Sequence, residues 1–301
     1  MRPAWILTLC IAGIDAVMLL TLGISVPLAP MIVKVAAGVL AVAAAWYYAR
    51  RRQEPVVAAL LEAAGFLVLF TLSLAIASYL WISLSLPLRD AAFAAADAAL
   101  GFDWIAHLTF VSERPWLATL LNFAYATSLP QVVFVILALA AARDVERIRT
   151  FSLLFAVTGI SVIAISGLVP ALGAYAYHKP ADALLAGISD PAAGRWHLEH
   201  FLELRSGSLR EIPLDALEGL VSFPSFHTAL AIIVMWALSN RRWLCAPAIG
   251  LNGAVIVSTL AIGGHYLVDV FAGGAISLAA LLVLARRRTG RPALRVSPQA
   301  G

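Results

Sequence analysis

Long apolar runs alternate along the chain with short polar connections that are rich in arginine. A run of about 20 apolar residues is long enough to cross the hydrocarbon core of a membrane as a helix. Seven runs reach about this length and an eighth, 226–238, is shorter; together they predict an all-α, polytopic membrane bundle of about eight transmembrane helices. The predicted spans are 5–26, 31–48, a third within 56–86, 116–142, 151–175, 226–238, 243–262 and 266–285. The first run follows Arg2 as a signal peptide would, but it is long and lacks a small-residue cleavage site, so a retained helix is expected.

Polar segments outside these runs divide the chain. The alanine-rich segment 87–116 carries scattered charges and predicts an amphipathic helix at the membrane surface, either a cap over helix ends or a substrate contact. The longest loop, 176–219, contains a helix-like stretch at 200–205 that either crosses the mouth of a site or is a solvated connector. The predicted units are N-terminal helices over 1–86, a catalytic membrane domain over 87–285 and a basic tail over 286–301.

Composition places the chain in the membrane class. Hydrophobic residues make up 62%, charged residues only 13%, and the mean hydropathy is +0.91. The net charge of +4 comes from arginines beside apolar runs, which is typical of membrane topology and not of nucleic-acid binding. Cys10 and Cys245 both lie in apolar runs and indicate neither a disulfide framework nor a metal site. No cofactor is expected.

The arginines also predict an orientation. An even number of spans puts both termini on one side, together with the arginine-rich connections at 50–52, 143–149 and 241–242. Positive residues concentrate on the cytoplasmic side of membrane proteins, so both termini are expected in the cytoplasm. The expected location is the inner membrane of the cell.

Two polar stretches at the mouths of apolar runs are the candidate site. In 263–269, His265 and Asp269 are four residues apart and would share one helix face. A carboxylate beside an imidazole fixes its tautomer and raises its basicity, as a histidine base or nucleophile needs. In 222–227, His227 is a second imidazole. The predicted topology puts both stretches on the outer, extracytoplasmic side.

The start of the helix that carries His227 is expected to bind a phosphate. Ser225 is the expected N-cap, and the amides at Ser225 and Phe226 would face an anion at the positive end of the helix. The 15 residues from Ser225 to Ser239 span about 22 Å, less than the roughly 30 Å hydrocarbon core. The site is therefore expected below the headgroup level, where a phosphate attached to a lipid arrives.

Pro-Ser-x-His at 224–227 followed by His-x-x-x-Asp at 265–269 resembles the type 2 phosphatidic acid phosphatase superfamily. The closer similarity is to its inositol phosphorylceramide synthase-like subgroup, which the segments 97–104 and 122–128 faintly resemble as well. The resemblance implies that His265 is the nucleophile, that Asp269 supports it and that His227 is the general acid.

The chain departs from the superfamily pattern at the phosphate clamp. Ser258-Thr259 stands where the common pattern has Ser-Arg, and Glu113-Arg114-Pro115 lacks the upstream lysine of the first motif. A guanidinium from the long loop is expected to replace the missing cation, with Arg205 as the first candidate and Arg210 as the second.

The expected function is a metal-independent lipid-phosphate phosphatase or phosphotransferase that works through a phosphohistidine. Its substrate would be a membrane lipid phosphate, and water or an alcohol would accept the phosphoryl-bearing group. Two other classes stay open. A transporter would use intramembrane His and Asp as a proton relay, although no repeat of broken helices is visible. A protein of the same fold that has lost its activity would no longer need the phosphate clamp, which would explain why the clamp is incomplete here.

Overall fold

The computed structural model describes residues 1–188, 194–215, 217 and 219–289. Regular structure in these residues is helical, apart from an isolated β-bridge between Ser25 and Glu211. The helices are α1 (Arg2–Leu22), α2 (Leu28–Tyr47), α3 (Pro55–Ser83), α4 (Asp90–Ala99), α5 (Trp104–Ser112), α6 (Pro115–Thr127), α7 (Pro130–Ala141), α8 (Val145–Leu168), α9 (Ala174–His178), α10 (Asp182–Leu185), α11 (Leu198–Ser206), α12 (Phe226–Leu238), α13 (Arg242–Ala261) and α14 (Leu267–Thr289). A π-helical turn, Tyr48–Arg52, joins α2 to the connection before α3. The predicted all-α membrane bundle is confirmed.

Six helices in this described part are long and apolar enough to cross a membrane: α1, α2 with its π-helical turn, α3, α8, α13 and α14. The pair α6 and α7 also qualifies together, but it is bent by 59°. The predicted span over 116–142 is therefore present as two helices joined by a sharp bend. Pro130 lacks an N–H and its ring crowds the preceding turn, which favours a break here, while the Ser128 hydroxyl donates to the Tyr125 carbonyl at 2.6 Å.

Helix α12 has 13 residues and is buried among α7, α8, α13 and α14. The last carbonyls of a helix have no partner within the helix. Arg147 on α8 supplies partners here: its Nε donates to the Ala237 carbonyl at 2.7 Å, and a terminal N–H₂ donates to Trp236 and to the Ser239 hydroxyl. The apolar core around α12 and α3 includes stacked Phe66 and Phe70.

The starts of α12 and α14 touch backbone to backbone. A Cβ on Gly273 would lie 2.2 Å from the Ser225 carbonyl oxygen, so only glycine permits this approach. One turn further on, the Ser277 hydroxyl donates to the Ala229 carbonyl at 2.9 Å. These contacts bring the two candidate stretches of the sequence to the same end of the bundle.

The segment 87–116 differs from the expected surface helix. It folds into two helices, α4 and α5, and α4 buries the side chains of Asp90 and Asp97. Burial is possible because both carboxylates accept several hydrogen bonds, which offset the loss of water. The helix expected at 200–205 is present within α11, whereas α14 continues past the predicted end at 285 to Thr289. The predicted basic tail lies, from residue 290 onward, outside the described residues.

Candidate active site

The His265–Asp269 pair lies where the loop after α13 enters α14. His265 Nδ1 is 3.1 Å from Asp269 Oδ2, and both side chains are buried. The same carboxylate oxygen accepts from the Tyr266 amide at 2.9 Å and the Ser222 hydroxyl at 3.3 Å. The predicted contact is present, but His265 precedes the helix and the two residues do not share a helix face. A proton on Nδ1 directed to Asp269 leaves the lone pair on Nε2.

The environment keeps the His265 imidazole neutral. Burial lowers the pKa of His265 to about 4, and a hydrogen bond with the Ser222 backbone raises it in part. A neutral imidazole at pH 7 has the lone pair that a nucleophile requires.

His227 and Ser225 form the first turn of α12. The Ser225 hydroxyl accepts from the Thr228 amide at 3.3 Å, which is the predicted N-cap. The Ser225 amide donates to the backbone carbonyl of Asp269 at 3.0 Å and so ties α12 to α14. His227 lies close enough to His265 for the two imidazoles to interact electrostatically. The structure thus brings the three predicted catalytic residues together.

Tyr125 on α6 belongs to this cluster, and the motif analysis did not single it out. Its ring stacks on the His227 imidazole with centroids 4.5 Å apart. The 59° bend between α6 and α7 follows directly after Tyr125. The faint similarity of the segment 122–128 was the available signal in the sequence.

Asp97 was also missed, and it holds the start of α14. Its two carboxylate oxygens accept from the amides of Leu267 and Val268 at 2.8 and 3.0 Å. A carboxylate at a helix start satisfies amides that have no acceptor within the helix and interacts favourably with the helix dipole. Burial raises the pKa of Asp97, and the two amide hydrogen bonds lower it in part.

Asp90 fixes the residue next to His265. It accepts from the Tyr266 hydroxyl at 3.0 Å and from the amides of Leu172 and Gly173 at 3.1 and 2.9 Å. Asp90 and Asp97 are seven residues apart on α4 and therefore share one helix face. That spacing was the signal in the sequence that two carboxylates point the same way.

An aromatic layer covers this end of the bundle. Phe93 on α4 stacks on Phe223 with centroids 4.4 Å apart. Trp104 on α5 donates through Nε1 to the Leu260 carbonyl at 3.1 Å and stacks on His178. These contacts surround the cluster with apolar surface, which strengthens electrostatic interactions inside it.

The loop arginines that were expected to bind the phosphate make other contacts. Arg205 donates to the Leu86 carbonyl at 2.9 Å, beyond the end of α3. Arg210 is exposed, and its carbonyl accepts from the Ser25 amide at 2.8 Å. Arg195 is close enough to Tyr175 to lower the pKa of that phenol, against the larger raising effect of burial. Thr259 is buried and its hydroxyl donates to the Ile256 carbonyl of its own helix.

Comparison with known proteins identifies a relationship over the same region. A family model described as the PAP2 superfamily matches residues 91–283, which include α4 after Asp90, the Tyr125 segment and both histidine stretches. No curated protein and no solved structure matches the chain.

Proposed function

The chain belongs to the PAP2 superfamily, and from this premise we propose that it transfers the phosphoryl group of a lipid phosphate through a phosphohistidine. Membership supports a lipid phosphatase or phosphotransferase type of activity in a multi-pass membrane protein. The observation that carries the finer proposal is the buried pair in which His265 Nδ1 lies 3.1 Å from Asp269 Oδ2, with His227 alongside.

The proposed reaction has two steps. Nε2 of His265 attacks phosphorus; an N–P bond forms while the bond to the leaving oxygen breaks, and that oxygen takes a proton from His227. Asp269 stabilises the positive charge that develops on His265. Water or an alcohol then attacks the phosphohistidine and gives its proton to His227, which restores both histidines.

The start of α12 is the proposed binding site for the phosphate oxygens. The amide of Ser225 is engaged by Asp269, so the amides of Phe226 and His227 in the first turn are the donors best placed for an anion. The N-terminal end of α14 is less suitable, because Asp97 already accepts its first amides. Phosphate is therefore expected next to His227 and not at the other helix start.

A loop arginine is proposed to complete the phosphate site. The sequence ranks Arg205 first and Arg210 second, with Lys179 and Arg195 next. Arg195 lies near Tyr175, whose hydroxyl donates to the Ala261 carbonyl at 2.5 Å. Loss of a guanidinium that contacts the transferring phosphoryl group should lower kcat/KM by about a hundredfold or more. Comparing Arg195→Ala, Arg205→Ala and Arg210→Ala identifies which of them has that role. Near-wild-type kcat/KM in all three would exclude each of them.

Transfer to an alcohol is the second candidate outcome. Thr259, buried and bonded within its own helix, stands where the common pattern has an arginine. The resemblance to the inositol phosphorylceramide synthase-like subgroup, which also tends to lack this clamp, favours transfer to an alcohol. The same phosphohistidine can partition between water and an alcohol. Incubation of purified protein with labelled phospholipid, with and without inositol, glycerol or ceramide, separates the outcomes. Equal release in every case with no new labelled lipid would exclude transfer to these acceptors.

The activity itself is tested with a panel of lipid phosphates that includes dioctanoyl phosphatidic acid, assayed with purified protein in detergent. His265→Ala should lose turnover by at least about a thousandfold, because residues that act as one unit fail together. His200→Ala is the matched control, since this histidine lies on α11 and contacts Tyr79. Turnover of His265→Ala close to that of the wild type would refute the proposed mechanism.

A further inference from the structure

The ring of Tyr125 stacks on the His227 imidazole and packs against the loop that leads to His265. It faces the His227 imidazole with 4.5 Å between ring centroids and 29° between ring planes. Its edge packs on the backbone of Gly263, where an added Cβ would come within 2.8 Å of Tyr125 Cε2 and 3.1 Å of His265 Cδ2. This close approach holds the phenol ring between the two histidine stretches.

The proposed reaction requires a proton on His227 when the leaving oxygen departs. A charged imidazole in an apolar environment loses hydration, and a neighbouring imidazole does not compensate for that loss. An aromatic face attracts a cation, because the π electrons place partial negative charge above the ring. The stacked geometry puts this face against His227.

We infer that Tyr125 is a positioning residue whose ring face orients His227 and stabilises its protonated form. The catalytic meaning of this inference rests on the proposed function, because only the general acid of that reaction needs the proton. The contact itself is a property of the protein without substrate.

Among the residues that the structure describes, few other charged or titratable groups face His227. Helices α7, α8, α13 and α14 pack against α12. Helix α7 has no titratable side chain, and those of α13 and α8 lie in the turns at the opposite end of α12, where Arg147 bonds Ala237. Helix α14 contributes Asp269, and the loop before it contributes His265. A shift in the His227 titration midpoint after substitution of Tyr125 is therefore measured in the presence of few other charged groups.

The test replaces Tyr125 with phenylalanine, a monofluorinated phenylalanine and pentafluorophenylalanine. These rings keep nearly the same shape while fluorine withdraws charge from the π face. Isotope-labelled histidine in detergent-solubilised protein reports the titration of each imidazole, and His227→Gln assigns the His227 signal among the six histidines. The His227 midpoint should fall by about one pH unit from phenylalanine to pentafluorophenylalanine.

The matched control is Phe123, on the same helix and exposed on its outer side. Pentafluorophenylalanine at Phe123 should leave the His227 midpoint unchanged. An unmoved midpoint across the Tyr125 series, or an equal shift from Phe123, would overturn the inference.

The titration needs no substrate, so it is independent of the proposed reaction. If dioctanoyl phosphatidic acid is turned over, the alkaline limb of kcat/KM should move to lower pH with the midpoint. A midpoint that moves without any turnover would support the contact and count against the proposed function alone. A midpoint that moves while the alkaline limb of an active enzyme stays fixed would overturn the positioning role of Tyr125 in the reaction.

Discussion

Three individual carboxylates hold the residues of the candidate site in position. Asp269 orients His265, Asp97 caps α14, and Asp90 anchors Tyr266. Each is buried, and each accepts two or more hydrogen bonds from groups next to the nucleophile. Removing a buried acceptor leaves its donors without partners, which costs about 1–3 kcal/mol.

Asp97→Ala should therefore lower both stability and catalysis. Loss of the acceptor for the Leu267 and Val268 amides is expected to cost about 1–3 kcal/mol and to displace the loop that carries His265. Thermal unfolding in detergent and kcat on the same lipid phosphate measure the two effects. Asp103→Ala is the control, because Asp103 is also a helix-capping carboxylate but caps α5, by accepting from the Ala106 amide at 2.9 Å. Equal effects of the two variants on kcat would contradict a positioning role for Asp97.

At the scale of single residues, the sequence predicts only those contacts of the site that join residues close together in the chain. His265 and Asp269 lie four residues apart, and the N-cap at Ser225 depends on three neighbouring residues, so both contacts follow from spacing. Tyr125 meets His227 only because two distant helices pack together. No local pattern determines such a contact, and for the same reason Arg205 could not be assigned to the end of α3 from the sequence.

At the scale of elements, the crossing of α12 and α14 sets the position of the site. The crossing is close because Gly273 lies directly against the Ser225 carbonyl. The sequence predicted both helices from their apolar runs, but apolar composition does not specify which faces meet. The break between α6 and α7 was missed because its apolar run continues through Pro130.

Gly273→Ala should separate the two helix starts. The added Cβ would meet a backbone oxygen at 2.2 Å, which no side-chain rotation relieves. Helix α12 must then shift, and we expect lower thermal stability and at least about a tenfold loss of kcat, since small displacements of catalytic groups are costly. Gly274→Ala is the matched control, because its Cβ meets only Ile232 Cδ1 at 3.6 Å. The explanation fails if both variants behave like the wild type.

At the scale of the whole molecule, the arrangement of helices implies a site that faces one side of the membrane. Both histidine stretches lie at the same end of the bundle, and Arg147 and Arg241 lie around the opposite end of α12. Arginine-rich connections are typical of the cytoplasmic side. We therefore expect the site to face outward, with a substrate from the outer leaflet.

Cysteine labelling in intact cells tests this orientation. In a background with Cys10 and Cys245 replaced, Ser208→Cys should react with a membrane-impermeant thiol reagent, because the residue is exposed and lies on the side of the site. Asn240→Cys, exposed at the other end, should react only after the membrane is permeabilised. The reverse pattern would place the site in the cytoplasm and change the substrate leaflet.

The central claim is that His265 carries the phosphoryl group during turnover. Purified protein is incubated with radiolabelled dioctanoyl phosphatidic acid, quenched in alkali, where phosphohistidine is stable, and digested to map the label. We expect label on the peptide that contains His265 in the wild type and none in His265→Ala, which should also lack turnover. Turnover at the wild-type rate in His265→Ala, or label on a different residue, would contradict it.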